Sequence, residues 1–246
     1  MNYKETLKKL EDSKYLISMA SVDDILRFGY SAGLNGNSCV LDLCCGYGTV
    51  LKIWSEAFGI CGTGIDLNGG FITKGKERLK QAGIDKVGLV CGDVTTYINK
   101  DKYDVVICSE TIGTIQTTLA LGEKFLKPKG ILAYQKLYSK IQNPPQELID
   151  FDEEVLSLSE LNRIFNELGY YIIYMASDTD SEWERYITWS ARRDIERFQQ
   201  NPNDGKLKQW IDKWYRMYFD YRRPFEGQAL FGLQKVISLE NEIEWN

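Results

Sequence analysis

Val40-Leu41-Asp42-Leu43-Cys44-Cys45-Gly46-Tyr47-Gly48-Thr49-Val50, followed by Gly64-Ile65-Asp66-Leu67, decides the fold. An apolar strand runs into a glycine turn, and a helix starts directly after it. A second apolar strand then ends in an acid, Asp66, 20 residues beyond Gly46. That spacing describes one βαβ unit shaped to hold a nucleoside. Gly46 and Gly48 let the backbone come close to a ligand, where a Cβ would obstruct it. Asp66, at the strand tip, is placed to accept hydrogen bonds from both ribose hydroxyls.

Outward from this unit, strand and helix patterns alternate. Strands are expected over 39–43, 60–65, 87–91, 103–108 and 131–137, and helices over 21–33, 49–58, 69–82 and 114–126. Each strand is a nearly continuous apolar run, as when helices cover both faces of a sheet. The alternation predicts an α/β fold with a doubly wound, mostly parallel sheet. After Leu137 the pattern changes. Residues 143–157 read as a loop, 158–168 as a helix and 170–176 as a sixth strand. Helical stretches follow over 181–200 and 205–221, and a last strand over 228–237. A single domain over 1–246 follows, with a seven-stranded core over 36–177 and 225–240. A helical cap over 1–35 and 178–224 is inserted before the last strand.

Bulk properties narrow the function. The 246 residues carry a formal charge of −5, which argues against a nucleic-acid surface. No apolar run approaches the roughly 18 residues needed to cross a membrane. The charged N-terminus lacks a signal-type apolar core, which predicts a cytoplasmic address. The six cysteines, none in a Cys-x-x-Cys pair, read as small buried thiols of a reducing compartment. Histidine is absent, which excludes a Ser-His-Asp triad and every histidine metal site. No metal site is expected, and any general base is a carboxylate, tyrosine, lysine or water.

With these motifs in hand, the chain resembles the class I S-adenosylmethionine (SAM) dependent methyltransferases, which have a Rossmann-like fold. The family's D-x-G-x-G-x-G turn stands here as Asp42-Leu43-Cys44-Cys45-Gly46-Tyr47-Gly48, with Cys44 in place of the first glycine. Gly62 to Leu67, Cys91-Gly92-Asp93-Val94, Tyr103 to Glu110 and Phe125 to Leu132 supply further partial matches in the family's order. Ser181 to Trp189, and the stretch GQALFGLQKV near the end, resemble a poorly characterised bacterial branch acting on small molecules.

The resemblance implies SAM as cofactor and S-adenosylhomocysteine (SAH) as product. Asp42 would balance the methionine ammonium, and backbone N–H groups of the Cys44–Gly48 turn would meet the carboxylate. Asp66 would hold the ribose. Asp93 would accept from the adenine amino group, between Leu67 and Val94 as apolar covers. Ser109 joins Cys44, Gly46 and Gly48 among the cofactor-contacting positions.

Each assignment has a structural competitor. A carboxylate inside an apolar strand is costly unless paired, which favours function for Asp42. Asp66 could instead cap a turn, and Asp93 a short helix over 94–99. A nicotinamide dinucleotide is the rival ligand, but its third glycine slot holds Leu51. Asn143-Pro144-Pro145-Gln146 resembles an amino-methylating motif, yet it follows the fifth strand and Gln146 cannot stack; a proline-punctuated loop accounts for it.

For the acceptor, Glu110 at the carboxyl end of the fourth strand is the candidate base, with capping of the helix near 114 as its alternative. Trp183, Tyr186 and Trp189 share one face of a helix, and Trp210, Trp214, Met217 and Tyr221 make a second stripe. Trp183 and Tyr186 are the candidate acceptor-pocket walls, suited to an apolar or cationic small molecule. The chain therefore reads as a SAM-dependent methyltransferase with a small-molecule acceptor. A non-catalytic SAM-binding module and, more remotely, an RNA methyltransferase are the competing functions.

Overall fold

The structure, a computed structural model, describes residues 3–18, 20–152 and 155–236. Among these, seven strands form one sheet in the order β3-β2-β1-β4-β5-β7-β6. They are β1 (Cys39–Leu43), β2 (Cys61–Asp66), β3 (Val87–Cys91), β4 (Tyr103–Cys108), β5 (Leu126–Ser139), β6 (Tyr170–Ser177) and β7 (Glu226–Lys235). The β1–β5 pairings are parallel, and β7 lies antiparallel between β5 and β6. The doubly wound α/β sheet predicted from the alternation of patterns is the observed architecture. The strand order reverses beside β1, where open α/β sheets form a crevice at their carboxyl edge.

Helices cover both faces. On one side α2 (Val22–Ser31), α3 (Thr49–Phe58) and α4 (Gly69–Gln81) pack Ile25, Phe28, Leu51, Trp54, Ile72 and Leu79 onto the sheet. Trp54 stacks on Phe28 at 5.7 Å and donates its Nε1–H to the Ile25 carbonyl at 2.8 Å, so its polar atom is satisfied inside the core. On the other side α5 (Ile115–Glu123) and α7 (Leu158–Glu167) contribute Ile115, Leu119, Leu161 and Phe165. Outside the sheet stand α1 (Tyr3–Ser13), α8 (Asp180–Gln200) and α9 (Gly205–Arg216).

Several expectations change in detail. The 143–157 loop contains a helical turn, α6 (Gln146–Phe151). No helix forms over 94–99: Asp93 Oδ1 accepts from both the backbone N–H and the hydroxyl of Thr95, which closes a local turn instead. The helix expected over 205–221 ends at Arg216 and widens into a π-helical turn, Met217–Arg222, before the short α10 (Arg223–Phe225). Met217, Tyr218 and Arg222 are all buried. Met217 and Arg222 are five residues apart, and the i→i+5 spacing of a π turn brings them toward one face. The expected strand end at Ile237 and the core limit at 240 lie outside the described residues.

The cysteine reading needs a larger correction. Cys39 and Cys61 are directly opposed in the β1–β2 register and form a disulfide. Their Cα atoms are 4.7 Å apart, the ordinary spacing of neighbouring strands. Only Cys44, Cys45, Cys91 and Cys108 are free thiols, so the argument for a reducing compartment loses two of its six cysteines. Thiol titration of the denatured, unreduced protein should count four free groups, rising to six after reduction. Six before reduction would remove the crosslink.

Candidate functional site

Leaving β1, the chain turns through Cys44 (φ 64°), Gly46 (φ 55°) and Gly48 (φ 66°) into α3. Cys44 thus adopts the left-handed conformation of the glycine it replaces, at a cost of about 1–2 kcal/mol. At Gly48 a Cβ would also lie 2.7 Å from Leu89 Cδ2, so close packing adds to the conformational demand. Above this turn lies a cavity of about 140 Å³ whose walls include Asp42, Cys44, Asp66, Ser109, Glu110 and Gln135.

The charge of this cavity is one-sided. It presents three carboxylates, Asp42, Asp66 and Glu110, and no Lys or Arg among the described residues lining it. Asp42 is buried, and its Oδ1 has no hydrogen-bond partner among the described residues. Burial pushes its carboxyl well above the usual carboxylate range, and the charge of Asp66 adds to the effect. Glu110 is raised by the same two causes in the same order. Burial, followed by the charges of Asp42, Glu110, Asp66 and Asp93, pushes the Cys44 thiol up to about 12, so it stays protonated. A buried carboxylate without a counter-ion is stable only when neutral or when a cation is supplied. The donor set therefore fits a ligand that brings positive charge.

Asp66 is held by the turn it faces. Its Oδ2 accepts from Gly46 N and its Oδ1 from Asn68 N, each at 2.8 Å. The turn's own N–H groups are largely used within the chain: Cys45 N donates to Ile65 O and Gly48 N to Cys45 O. Of the five N–H groups in the Cys44–Gly48 turn, those of Cys45, Gly46 and Gly48 are thus used within the chain. The adenine-side candidates stand outside the enclosed cavity, beyond the ends of β2 and β3. Leu67 is exposed, Val94 is buried in the core, and Asp93 is exposed with Oδ2 left over from its local turn.

The roof is a segment for which the sequence reading assigned no site residue. Tyr15, Leu16, Ile17 and Ser18 line the cavity from above, with Ile17 Cδ1 packed over Gly46. Buried Asp12 pairs with both Lys52 and Arg78 at 3.0 Å, and the Arg78 guanidinium lies 4.1 Å from the Tyr15 ring centroid. Arg185 of α8 donates to the carbonyls of Ser13, Leu16 and Ser18. Ser18 Oγ donates to Gln135 Oε1 at 2.8 Å, tying the roof to β5.

Glu110 and Gln135 also line a second cavity of about 520 Å³, so the two spaces share a boundary. Tyr186, Trp214, Phe151, Asp152, Arg222 and Gln228 wall the larger one. Trp183 does not reach it: it is buried within the cap against Ile187 and stacks on Tyr218 at 6.1 Å. Glu110 is not a helix cap, because Thr114 and Thr117 close a reciprocal capping box at α5. Gln135 carried a detectable signal, a polar residue inside the apolar strand Ile131–Leu137, the same signal that marked Asp42. Arg222 and Asp152 carried none, since their pairing depends on the π turn.

Comparison with known proteins agrees with this geometry. Residues 40–130 match the model of a methyltransferase domain family. YjhP of Escherichia coli, an uncharacterized protein, is 28% identical over 209 residues, covering 79% of this chain and 83% of its own. A SAM-dependent methyltransferase from Geobacter sulfurreducens, solved with SAH, superposes with a TM-score of 0.84 at 26% identity, over 90% of this chain and 94% of its own. A protein from Thiobacillus denitrificans shares the fold at a TM-score of 0.84 and 23% identity, over 96% of this chain and 100% of its own.

Two substitutions test the site without any ligand. Asp42 binds its proton more tightly folded than unfolded, so its contribution is complete below about pH 4 and is lost as pH rises toward its folded value. Asp42→Asn should raise the melting temperature at pH 7 by about 2–8 °C, roughly 1–2 kcal/mol, with a gain that shrinks toward pH 4. Asp178 and Glu226, each pushed up to about 8 mainly by burial, should keep a residual slope in both proteins. A pH-independent gain would contradict the unpaired-carboxylate account. Cys44→Gly should be stabilising by about 1 kcal/mol in denaturant titration.

Proposed function

We propose, from the premise that this chain is a SAM-dependent methyltransferase, that it methylates a small molecule held in the larger cavity, in the cytoplasm. The observation that carries the reading is the buried Asp42, whose Oδ1 has no hydrogen-bond partner among the described residues, in a cavity lined by three acids and, among the described residues, no Lys or Arg. SAM brings the missing charge, as an ammonium and a sulfonium, and supplies the electrophilic methyl group.

In this reading Asp42 faces the positive charge of the methionine end. Asp66 has two of its carboxylate lone-pair sites filled by Gly46 and Asn68, leaving others for the ribose hydroxyls. Asp93 offers Oδ2 to the adenine amino group. Leu67 is the exposed apolar cover for the ring, while Val94 supports that edge from within the core. Cys44, Gly46, Gly48 and Ser109 shape the wall.

The chain's remaining task is alignment in a space shielded from water. The roof at Tyr15–Ser18 and α8 supply that shield, with the roof pinned by Arg185 and by Ser18 on Gln135. Glu110, on the boundary of the two cavities, is placed to receive a proton from the acceptor. Burial, followed by the charge of Asp66, raises its proton affinity, which strengthens it as a base.

Calorimetry with SAM and with SAH tests the cofactor; no heat from either removes the reading. Asp66→Ala should weaken SAH binding about 10- to 100-fold, roughly 1–3 kcal/mol. Glu110→Gln should lower turnover about 10²- to 10⁴-fold while SAH affinity stays within threefold. A screen of cell extract with methyl-labelled SAM separates an enzyme from a binding module, which would bind without forming labelled product.

A further inference from the structure

Gln135 is a neutral amide inside β5, only 4% exposed, and it lies in the wall that the two cavities share. Its place follows from strand register. Cys108 pairs with Tyr134, so one step further Ser109 stands beside Gln135, and Glu110 follows at the carboxyl edge. Ser109 and Glu110 line both cavities too. A methyl group passing from a cofactor in one space to an acceptor in the other crosses this wall.

The amide has a defined orientation. Ser18 Oγ accepts from the Ala20 N–H at 2.9 Å and turns its own hydrogen to Gln135 Oε1 at 2.8 Å. Oε1 therefore faces the roof, and Nε2 keeps two N–H donors. Nε2 donates to no described residue and is not sealed inside the fold; it opens on the space that Gln135 lines.

A donor and a carboxylate, Glu110, in one wall select the atom that can meet both. A hydroxyl oxygen carries one hydrogen and two lone pairs. Its hydrogen can go to Glu110, one lone pair can accept from Nε2, and the other stays free to attack. A neutral amine has a single lone pair, which Nε2 would occupy at the expense of attack, and an ammonium has none. A carboxylate has no proton for Glu110 and meets its charge, with those of Asp42 and Asp66 close by. A thiol sulfur is a weak hydrogen-bond acceptor and leaves Nε2 unmet.

We propose that the acceptor is a hydroxyl-bearing small molecule, methylated on oxygen, and that Gln135 Nε2 holds that oxygen while Glu110 takes its proton. This rests on the methyltransferase reading above, with Glu110 as its base. The O–H bond breaks toward Glu110, and the O–C bond forms from the free lone pair. The electron pair of the methyl–sulfur bond stays on sulfur, which leaves SAH and a methyl ether. Because Oε1 is tied to Ser18, the side chain that holds the acceptor is set in place by the roof.

The test incubates the full chain with methyl-labelled SAM and, separately, with phenol, benzyl alcohol, benzylamine, thiophenol, benzoate and an extract of the source cells. Mass spectrometry and NMR of the methyl carbon identify each labelled product. Methyl ethers should form, with N-methyl, S-methyl and methyl-ester products at least tenfold below them. A dominant product of any of those other classes overturns the proposal, as does a parent that binds SAH but forms no product. Failure of the parent to bind SAH removes the methyltransferase reading instead. Gln135→Met removes the amide and the roof tie together, whereas Ser18→Ala breaks the tie alone. With the ether-forming acceptor, the two variants should bind SAH within threefold of each other, and kcat of Gln135→Met should be tenfold or more lower. Equal kcat values would reduce Gln135 to a roof tie and overturn its part. Should Gln135→Met not fold, Gln135→Glu, which keeps the tie and turns the donor into an acceptor, takes its place, read at alkaline pH where the new carboxylate is ionised.

Discussion

A carboxylate near the end of β1, buried and with one oxygen lacking a hydrogen-bond partner among the described residues, sets the terms for the rest of the molecule. Asp42 sits in β1, flanked by β2 and β4, with Asp66 close enough to raise its proton affinity further. An isolated fold gains nothing from this arrangement, since a buried unpaired acid costs free energy in every protonation state except the neutral one. The arrangement becomes favourable when a cation enters. The absence of any Lys or Arg among the described residues lining the cavity follows from the same requirement, because an internal cation would quench the site.

The surroundings serve that constraint. The left-handed turn at Cys44–Gly48 draws the backbone aside, and Asp66 is locked to it through Gly46. The roof at Tyr15–Ser18 is tied down at three places: by Arg185 through backbone carbonyls, by the Asp12–Lys52–Arg78 cluster, and by Ser18 on Gln135. Gln135 belongs to both cavities, as does Glu110. Ile17, Ser18 and Ser109 line both as well, so the two spaces share a wall of five described residues. The cap adds the aromatic walls, and its π turn carries Arg222 inward to Asp152.

Much of the fold was legible because strand and helix periods are local properties. The five strands β1–β5 and the helices between them announce themselves through apolar runs and glycine stops, and Ser21 was identifiable as the N-cap of α2. Asp42 was legible for a related reason, as a polar residue where apolar ones are expected. Gln135 bore the same mark and was passed over, because a neutral side chain in a strand attracts less notice than a charge. Trp183 and Tyr186 looked equivalent on a helical wheel. Only packing separates them, one against Tyr218 and the other at the cavity wall. Val94 and Leu67 were likewise indistinguishable as ring covers until burial placed one in the core and the other at the surface.

By itself, then, the sequence determined the alternating α/β layout, the glycine turn with its two acids, and the negative charge of the crevice. These depend on residue type and on spacing along one stretch of chain. The tertiary structure decided which distant residues meet: Cys39 with Cys61 through the β1–β2 register, Ser18 with Gln135, Arg222 with Asp152, and the roof with the turn beneath it. Such contacts join segments far apart in the chain. They are fixed by strand register and helix docking, which come from the summed burial of many side chains and leave no local periodic signature in the residues that happen to touch.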